Sequence, residues 1–171
     1  MDRISTLTGY GLTLREWADD DLAAMVELFD DKDVADRTPL ASPFDLAAAR
    51  EYLARAREAQ AAHQRVQLAI TTDGAEVKGE VRLNRLKGTI SYVVGAAHRG
   101  QGLAVRAVRL MTDLARRDLG YARVALEIEP DNDPSIGVAR AAGFRLTDAE
   151  PEVVEGERRS YTLCTWVLDL S

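Results

Sequence analysis

The chain has 171 residues, 46% of them hydrophobic and 29% charged, with a formal net charge of −6; this acidic balance makes nucleic acid a poor partner. A single cysteine, Cys164, excludes an internal disulfide, and two histidines, His63 and His98, are too few for a convincing metal site. No apolar run approaches the ~18 residues that would cross a membrane. The length predicts one domain, residues 1–171, large enough to bury about 70% of its unfolded surface. Met1-Asp2-Arg3-Ile4-Ser5 holds no apolar signal core, so the expected location is cytoplasmic.

Leu12 to Trp17 alternates as a first strand. Asp19 to Asp21 opens a helix in which Leu22, Met25, Val26 and Phe29 share a face. Ser42-Pro43-Phe44-Asp45 reads as a capping box with proline at the first helical position, and the helix continues to about Gln60. Val66, Leu68 and Ile70 mark a strand, Asp73-Gly74 a turn, and Val77, Val81 and Leu83 its hairpin partner. Lys87-Gly88 turns again into a strand from Thr89 to Val94. A strongly amphipathic helix from Leu103 to Leu119 is stopped by Gly120, and Arg123 to Ile128 alternates as a strand. Asp133-Pro134 starts a short helix that reaches Ala142 and is closed by Gly143. Phe144 to Thr147 and Arg159 to Leu168 form a closing strand pair. The order β-α-α-β-β-β-α-β-α-β-β predicts the α/β (α+β) class, with a mixed, mostly antiparallel sheet of seven strands flanked by helices on both faces.

The centre of the chain is the most informative part. A strand, Ile90 to Val94, is followed by Gly95-Ala96-Ala97-His98 and then by Arg99-Gly100-Gln101-Gly102-Leu103-Ala104. Gly100 and Gly102 allow close approach of a ligand to the backbone, and the helix beyond them offers unpaired N–H groups and a positive dipole end. That is a place for a phosphate. It is no Walker loop, because the Lys-Ser/Thr is missing, and no dinucleotide fingerprint, because Val105 stands where the third glycine belongs.

What remains is Arg99-x-x-Gly102-x-Ala104, which resembles the coenzyme-A pyrophosphate signature of the GNAT superfamily of N-acetyltransferases. Asn132-x-x-Ser135, a helix and then Gly143-Phe144 are similar to the second half of that superfamily's core. The likeness is strongest from residue 90 to 144 and nearest to the branch that acetylates ribosomal-protein N-termini. Two departures, Ser91 before Tyr92 and Arg106 after the turn, leave the subfamily and the acceptor open.

The resemblance implies the GNAT fold and acetyl-coenzyme A as cosubstrate, with no metal. It implies that Val93 and Val94 bond the pantetheine arm through their main chain, and that Arg99, Gly100, Gln101, Gly102, Leu103 and Ala104 cradle the pyrophosphate. The Val94 amide would receive the oxyanion. Attack on the thioester needs a neutral amine, and an ammonium with a pKa of about 10.4 must first lose a proton at a cost of about 4–5 kcal/mol at pH 7. Glu127, in a Leu-Glu-Ile setting on the strand flanking the thioester, is the leading base, and Glu80 the second; a solvent-facing glutamate reads the same way in sequence. Ser135 stands where the related branch places a serine near the sulfur, or else its hydroxyl caps the helix. Asn132 hydrogen-bonds the coenzyme or shapes the turn.

The first helices and the last loop are acidic (Asp19, Asp20, Asp21, Glu27, Asp30, Asp31, Asp33, Asp36; Asp148, Glu150, Glu152, Glu155, Glu157), which suits a cationic amine or merely a solvated surface. The expected partner is a small-molecule or peptide amine. Homodimers are common among relatives, and nothing in the sequence argues for one here. The competing class is a non-catalytic acyl-coenzyme-A-binding sensor.

Overall fold

Alternating aliphatic side chains set the strands wherever one face is to be buried. The computed structural model describes residues 3–171; Met1 and Asp2, part of the Met1–Ser5 segment read above, lie outside them. Strands β1 Thr6–Gly9, β2 Leu12–Arg15, β3 Arg65–Thr71, β4 Gly79–Asn84, β5 Thr89–Val94, β6 Arg123–Ile128, β7 Arg145–Leu146, β8 Glu152–Glu155 and β9 Ser160–Asp169 form one sheet. Its order is β1-β2-β3-β4-β5-β6-β9-β7, with β8 paired to the far part of β9. Neighbours are antiparallel except β5 and β6.

Helices cover both faces, each over its own core. Helix α4 (Leu103–Arg117) and α5 (Asp133–Ala141) lie on the face carrying Leu14, Leu68, Val81, Leu83, Ile90 and Leu126, and Leu103, Ala107, Met111 and Leu114 fill the space between. Helices α1 (Leu22–Phe29), α2 (Lys32–Arg37) and α3 (Leu46–Ala61) cover the other. There Trp17, Met25, Phe29, Phe44 and Leu53 pack on Ala69 and Val77, with Phe29 edge-on to Trp17, Phe44 and Tyr52.

The sheet has nine strands, not seven, because β1 and β8 escape the sequence pattern. β1 is short and half-exposed, and β8 (Glu-Val-Val-Glu) is exposed throughout, so neither carries the alternation that burial imposes. The six-residue α2 was likewise hidden, its start fixed by Asp31, whose carboxylate accepts from the amides of Asp33 and Val34. Helix α3 corrects another expectation. Its cap is Asp45, accepting from the Ala48 amide at 2.9 Å, so Ser42-Pro43-Phe44 lies ahead of the helix and not in it. Phe44 is held outside by its burial in the aromatic cluster and by its amide bond to Asp30 Oδ1 (3.1 Å).

Gly79 pins β4 against β5: a Cβ there would lie 2.3 Å from the Val93 carbonyl oxygen. Gly79→Ala should therefore cost about 1–3 kcal/mol by steric overlap. Gly100→Ala, where an added Cβ meets nothing within 4 Å, should cost about 1 kcal/mol through its positive φ alone. Urea denaturation of both variants checks the order.

Candidate active site

The site begins where two neighbouring strands separate. β4 holds β5 at six positions, from Gly79–Val94 to Asn84–Thr89, and β9 holds β6 at six more. Between β5 and β6 the described residues make one register pair, Thr89 with Ala125, and beyond it the strands diverge. Ala125 donates its amide to the Gly88 carbonyl (3.0 Å), and on the opposite side Gly95 donates to Lys78 (2.9 Å). Alternation along an extended strand then turns the main-chain groups of Tyr92 and Val94 into the gap and those of Val93 toward β4. Val94 is thus placed to meet an extended ligand arm through its backbone, whereas the Val93 main chain is spent on the sheet.

The turn before α4 lies at the mouth of this gap. Gly100 and Gly102 have φ of +82° and +72°, and open space surrounds both. Gly102 is the N-cap and no side chain caps the helix, so the first amides, at Leu103 and Ala104, are left for an external acceptor. Arg106, the departure noted in the sequence, staples the turn by donating to the carbonyls of Gln101 (3.1 Å) and Tyr10 (3.1 Å). Arg99 leans back across the gap: its Nε donates to the Val94 carbonyl (3.3 Å) and its guanidinium meets Asp33 (3.2 Å) and Asp31 (3.6 Å).

On the other wall, α5 starts at Asn132, whose Oδ1 accepts from the Ser135 amide (3.4 Å). Asn132 therefore does the capping and leaves the Ser135 hydroxyl for another partner. That partner is Tyr92 of β5, whose phenol lies 3.0 Å from Ser135 Oγ. Tyr92 carried no role in the sequence reading; its place two residues before Val94 was the available signal.

The two candidate bases separate clearly. Glu80 is 2% exposed and accepts from Trp17 Nε1 (2.7 Å), Gln67 Nε2 (2.9 Å) and the Tyr52 phenol, with Arg82 at 3.7 Å. Burial and the Glu80 charge push the Tyr52 phenol well above its ordinary range. A carboxylate so fully engaged in a buried network is structural. Glu127 is exposed on β6, its side chain opposite in direction to Leu126 and Ile128, and level in register with Ser91 across the gap. It faces the side of α1 to α3, where an acceptor would enter.

A further ion cluster fixes that side. Glu129, just past the end of β6, accepts a two-pronged bond from Arg159, just ahead of β9 (2.7 and 3.0 Å), and another from Arg37 of α2, which also meets Asp131 (2.9 Å). Arg158 donates to the Ala35 and Thr38 carbonyls, and the Tyr161 phenol to Thr38 (2.8 Å), so the β8–β9 hairpin clasps α2. Many of the acidic residues are thereby occupied: Asp19 with Arg57, Asp21 with Arg15, Asp36 with Lys32, Asp31 and Asp33 with Arg99.

A parted parallel pair that ends in an anion-ready glycine turn offers main-chain groups to an extended ligand and helix amides to an anion. Comparisons agree. Residues 11–145 match the acetyltransferase (GNAT) domain family, so the chain belongs to the GNAT acetyltransferases, enzymes that take the acetyl group of acetyl-coenzyme A. It is 25% identical over 148 residues to the uncharacterized N-acetyltransferase p20 of Bacillus licheniformis, covering 83% of each chain. Its fold is similar to that of a Vibrio cholerae protein described as a ribosomal-protein-serine acetyltransferase (TM-score 0.85, 15% identity, 99% of both chains). Mycobacterium smegmatis RimJ, solved with a coenzyme-A disulfide, gives a TM-score of 0.80 at 19% identity over 98% of this chain and 87% of that one. No described helix is long and apolar enough to cross a membrane.

Removing the Glu80 carboxylate orphans three buried donors. Glu80→Ala should destabilise the protein by about 3 kcal/mol or more, while Glu127→Ala, on an exposed strand face, should stay within about 0.5 kcal/mol; chemical denaturation distinguishes them.

Hydrogen bonds from Arg159 and Arg37 hold the Glu129 carboxyl below its ordinary value of 4.5. A folded-state pKa below the unfolded one gives stability that is full above 4.5 and lost as pH falls through the folded value. Acid titration of the urea midpoint should show this loss, and Glu129→Gln should flatten it.

Proposed function

We propose that the enzyme transfers acetyl from acetyl-coenzyme A directly to a primary amine, either a peptide N-terminus or a cationic small molecule. The observation that carries this reading is the main-chain edge of β5 at Val94, which β6 leaves unpaired and the Arg99 side chain alone meets among the described residues, with the Gly100–Gly102 turn at one end of the gap and the Ser135 hydroxyl on its far wall. The name of the p20 relative, an N-acetyltransferase, supports a nitrogen acceptor.

The coenzyme supplies the thioester and the leaving thiol. The amides at Leu103 and Ala104 and the side chain of Arg99 hold its diphosphate, in a turn that Arg106 braces. For this, Arg99 exchanges Asp31, Asp33 and the Val94 carbonyl for phosphate oxygens. Val94 offers its carbonyl to the pantetheine arm and its amide to the charge that develops on the thioester oxygen. Glu127, directly or through water, takes the proton that the ammonium must lose before it attacks. Ser135 donates a hydrogen bond to the departing sulfur. Acidic groups outside the ion pairs, among them Asp20, Glu27, Asp148 and Glu150, leave a negative approach that favours a cationic acceptor.

Thiol release from acetyl-coenzyme A should be measured over a panel of peptides, polyamines and aminoglycosides. Turnover with at least one amine is expected, and Glu127→Gln should lower kcat by about tenfold or more while calorimetry shows unchanged coenzyme affinity. Tight coenzyme binding with no thiol released across the panel would replace the enzyme with a sensor module.

A further inference from the structure

Tyr92 of β5 meets the hydroxyl of Ser135 on α5, a group assigned to the leaving sulfur, and the mechanism above does not use it. We infer that Tyr92 is a positioning residue: by donating its phenol proton to Ser135 Oγ, it leaves the Ser135 proton pointing into the gap, toward the coenzyme sulfur. This rests on the proposed coenzyme site.

The direction of the bond follows from the chemistry of the two hydroxyls. Each has a single proton to give, and both can accept. A phenol is by far the stronger acid, so between a tyrosine and a serine the phenol is the better donor. Tyr92 packs against the α4-side core, and burial pushes its phenol up, keeping it protonated. Ser135 has no competing duty, because the helix cap is Asn132. Once Ser135 Oγ accepts from below, its own O–H is aimed away from Tyr92. A serine without that neighbour would rotate freely among the surrounding acceptors.

The step this serves balances simply. The amine nitrogen bonds to the thioester carbon and the C–S bond breaks, its electron pair leaving on sulfur. The ammonium nitrogen gives up two protons in all, one to Glu127 before it attacks and one to solvent as the tetrahedral intermediate collapses; the thiolate later takes one from solvent, so the reaction releases one net proton. Ser135 loses no proton; it holds a hydrogen bond to sulfur while the negative charge is there.

The test reads the sulfur itself and needs no acceptor. Bound coenzyme A is titrated through the neutral and alkaline range by the ultraviolet absorbance of its thiolate, in wild type, Tyr92→Phe, Ser135→Ala and the double variant. Each single change should raise the thiol pKa of the bound coenzyme, and Tyr92→Phe should add nothing in the Ser135→Ala background. With an acceptor in hand, kcat should fall about threefold to tenfold in Tyr92→Phe with KM for acetyl-coenzyme A unchanged. A thiol titration that ignores Tyr92→Phe, or that shifts equally with and without Ser135, overturns the inference and leaves the acetyltransferase reading intact. Failure of any variant, wild type included, to bind coenzyme A overturns both.

Discussion

Everything at this site depends on two strands that start side by side and then part. β5 and β6 lie parallel and touch at one register pair, yet each is anchored along its full length by an antiparallel neighbour on its outer side. Those outer ladders keep the free inner edges from collapsing, while sheet twist carries them away from each other. An exposed strand edge is ordinarily a hazard, because it invites another chain to pair. Here the edge is short and recessed, flanked by the α4 turn and by the Tyr92–Ser135 bond, and its unpaired groups suit an extended amide-bearing arm.

The ligand-facing turn and the acceptor-side helices are not independent. Arg99 is shared between the Val94 carbonyl and the aspartates at the start of α2, and α2 is in turn clasped by the β8–β9 hairpin through Glu129, Arg37 and Arg159. Exposed pairs of this sort contribute little individually. The partly buried Glu129 cluster is different, since its four charged groups, Glu129, Asp131, Arg37 and Arg159, satisfy one another where three parts of the chain meet.

Glu80 illustrates how burial changes the meaning of a residue. In an alternating strand near the thioester it reads as a base, but its oxygens are consumed by Trp17, Tyr52 and Gln67. Such a network, fully satisfied, ties β4 to α3 and to the segment after β2, and its value lies in specifying how the aromatic core is arranged. Glu127, two strands away on β6, has its side chain in solvent instead.

The sequence by itself determined the central strands, the long α4 helix and the glycine turn ahead of it, because burial on one face and the demand for positive φ at Gly100 and Gly102 leave periodic marks in the residues. It also marked Ser135 and Glu127 through their motif setting. Segments without such marks stayed hidden: β1 and β8 lack a buried face, α2 is six residues of mostly polar chain, and the start of α3 was moved by Phe44 seeking the aromatic cluster. Only the tertiary structure decided which carboxylate is free and that Tyr92 meets Ser135. It alone brought Glu129 between two arginines distant in the chain. Those pairings depend on through-space distances between residues far apart in sequence, and no local pattern encodes such a distance.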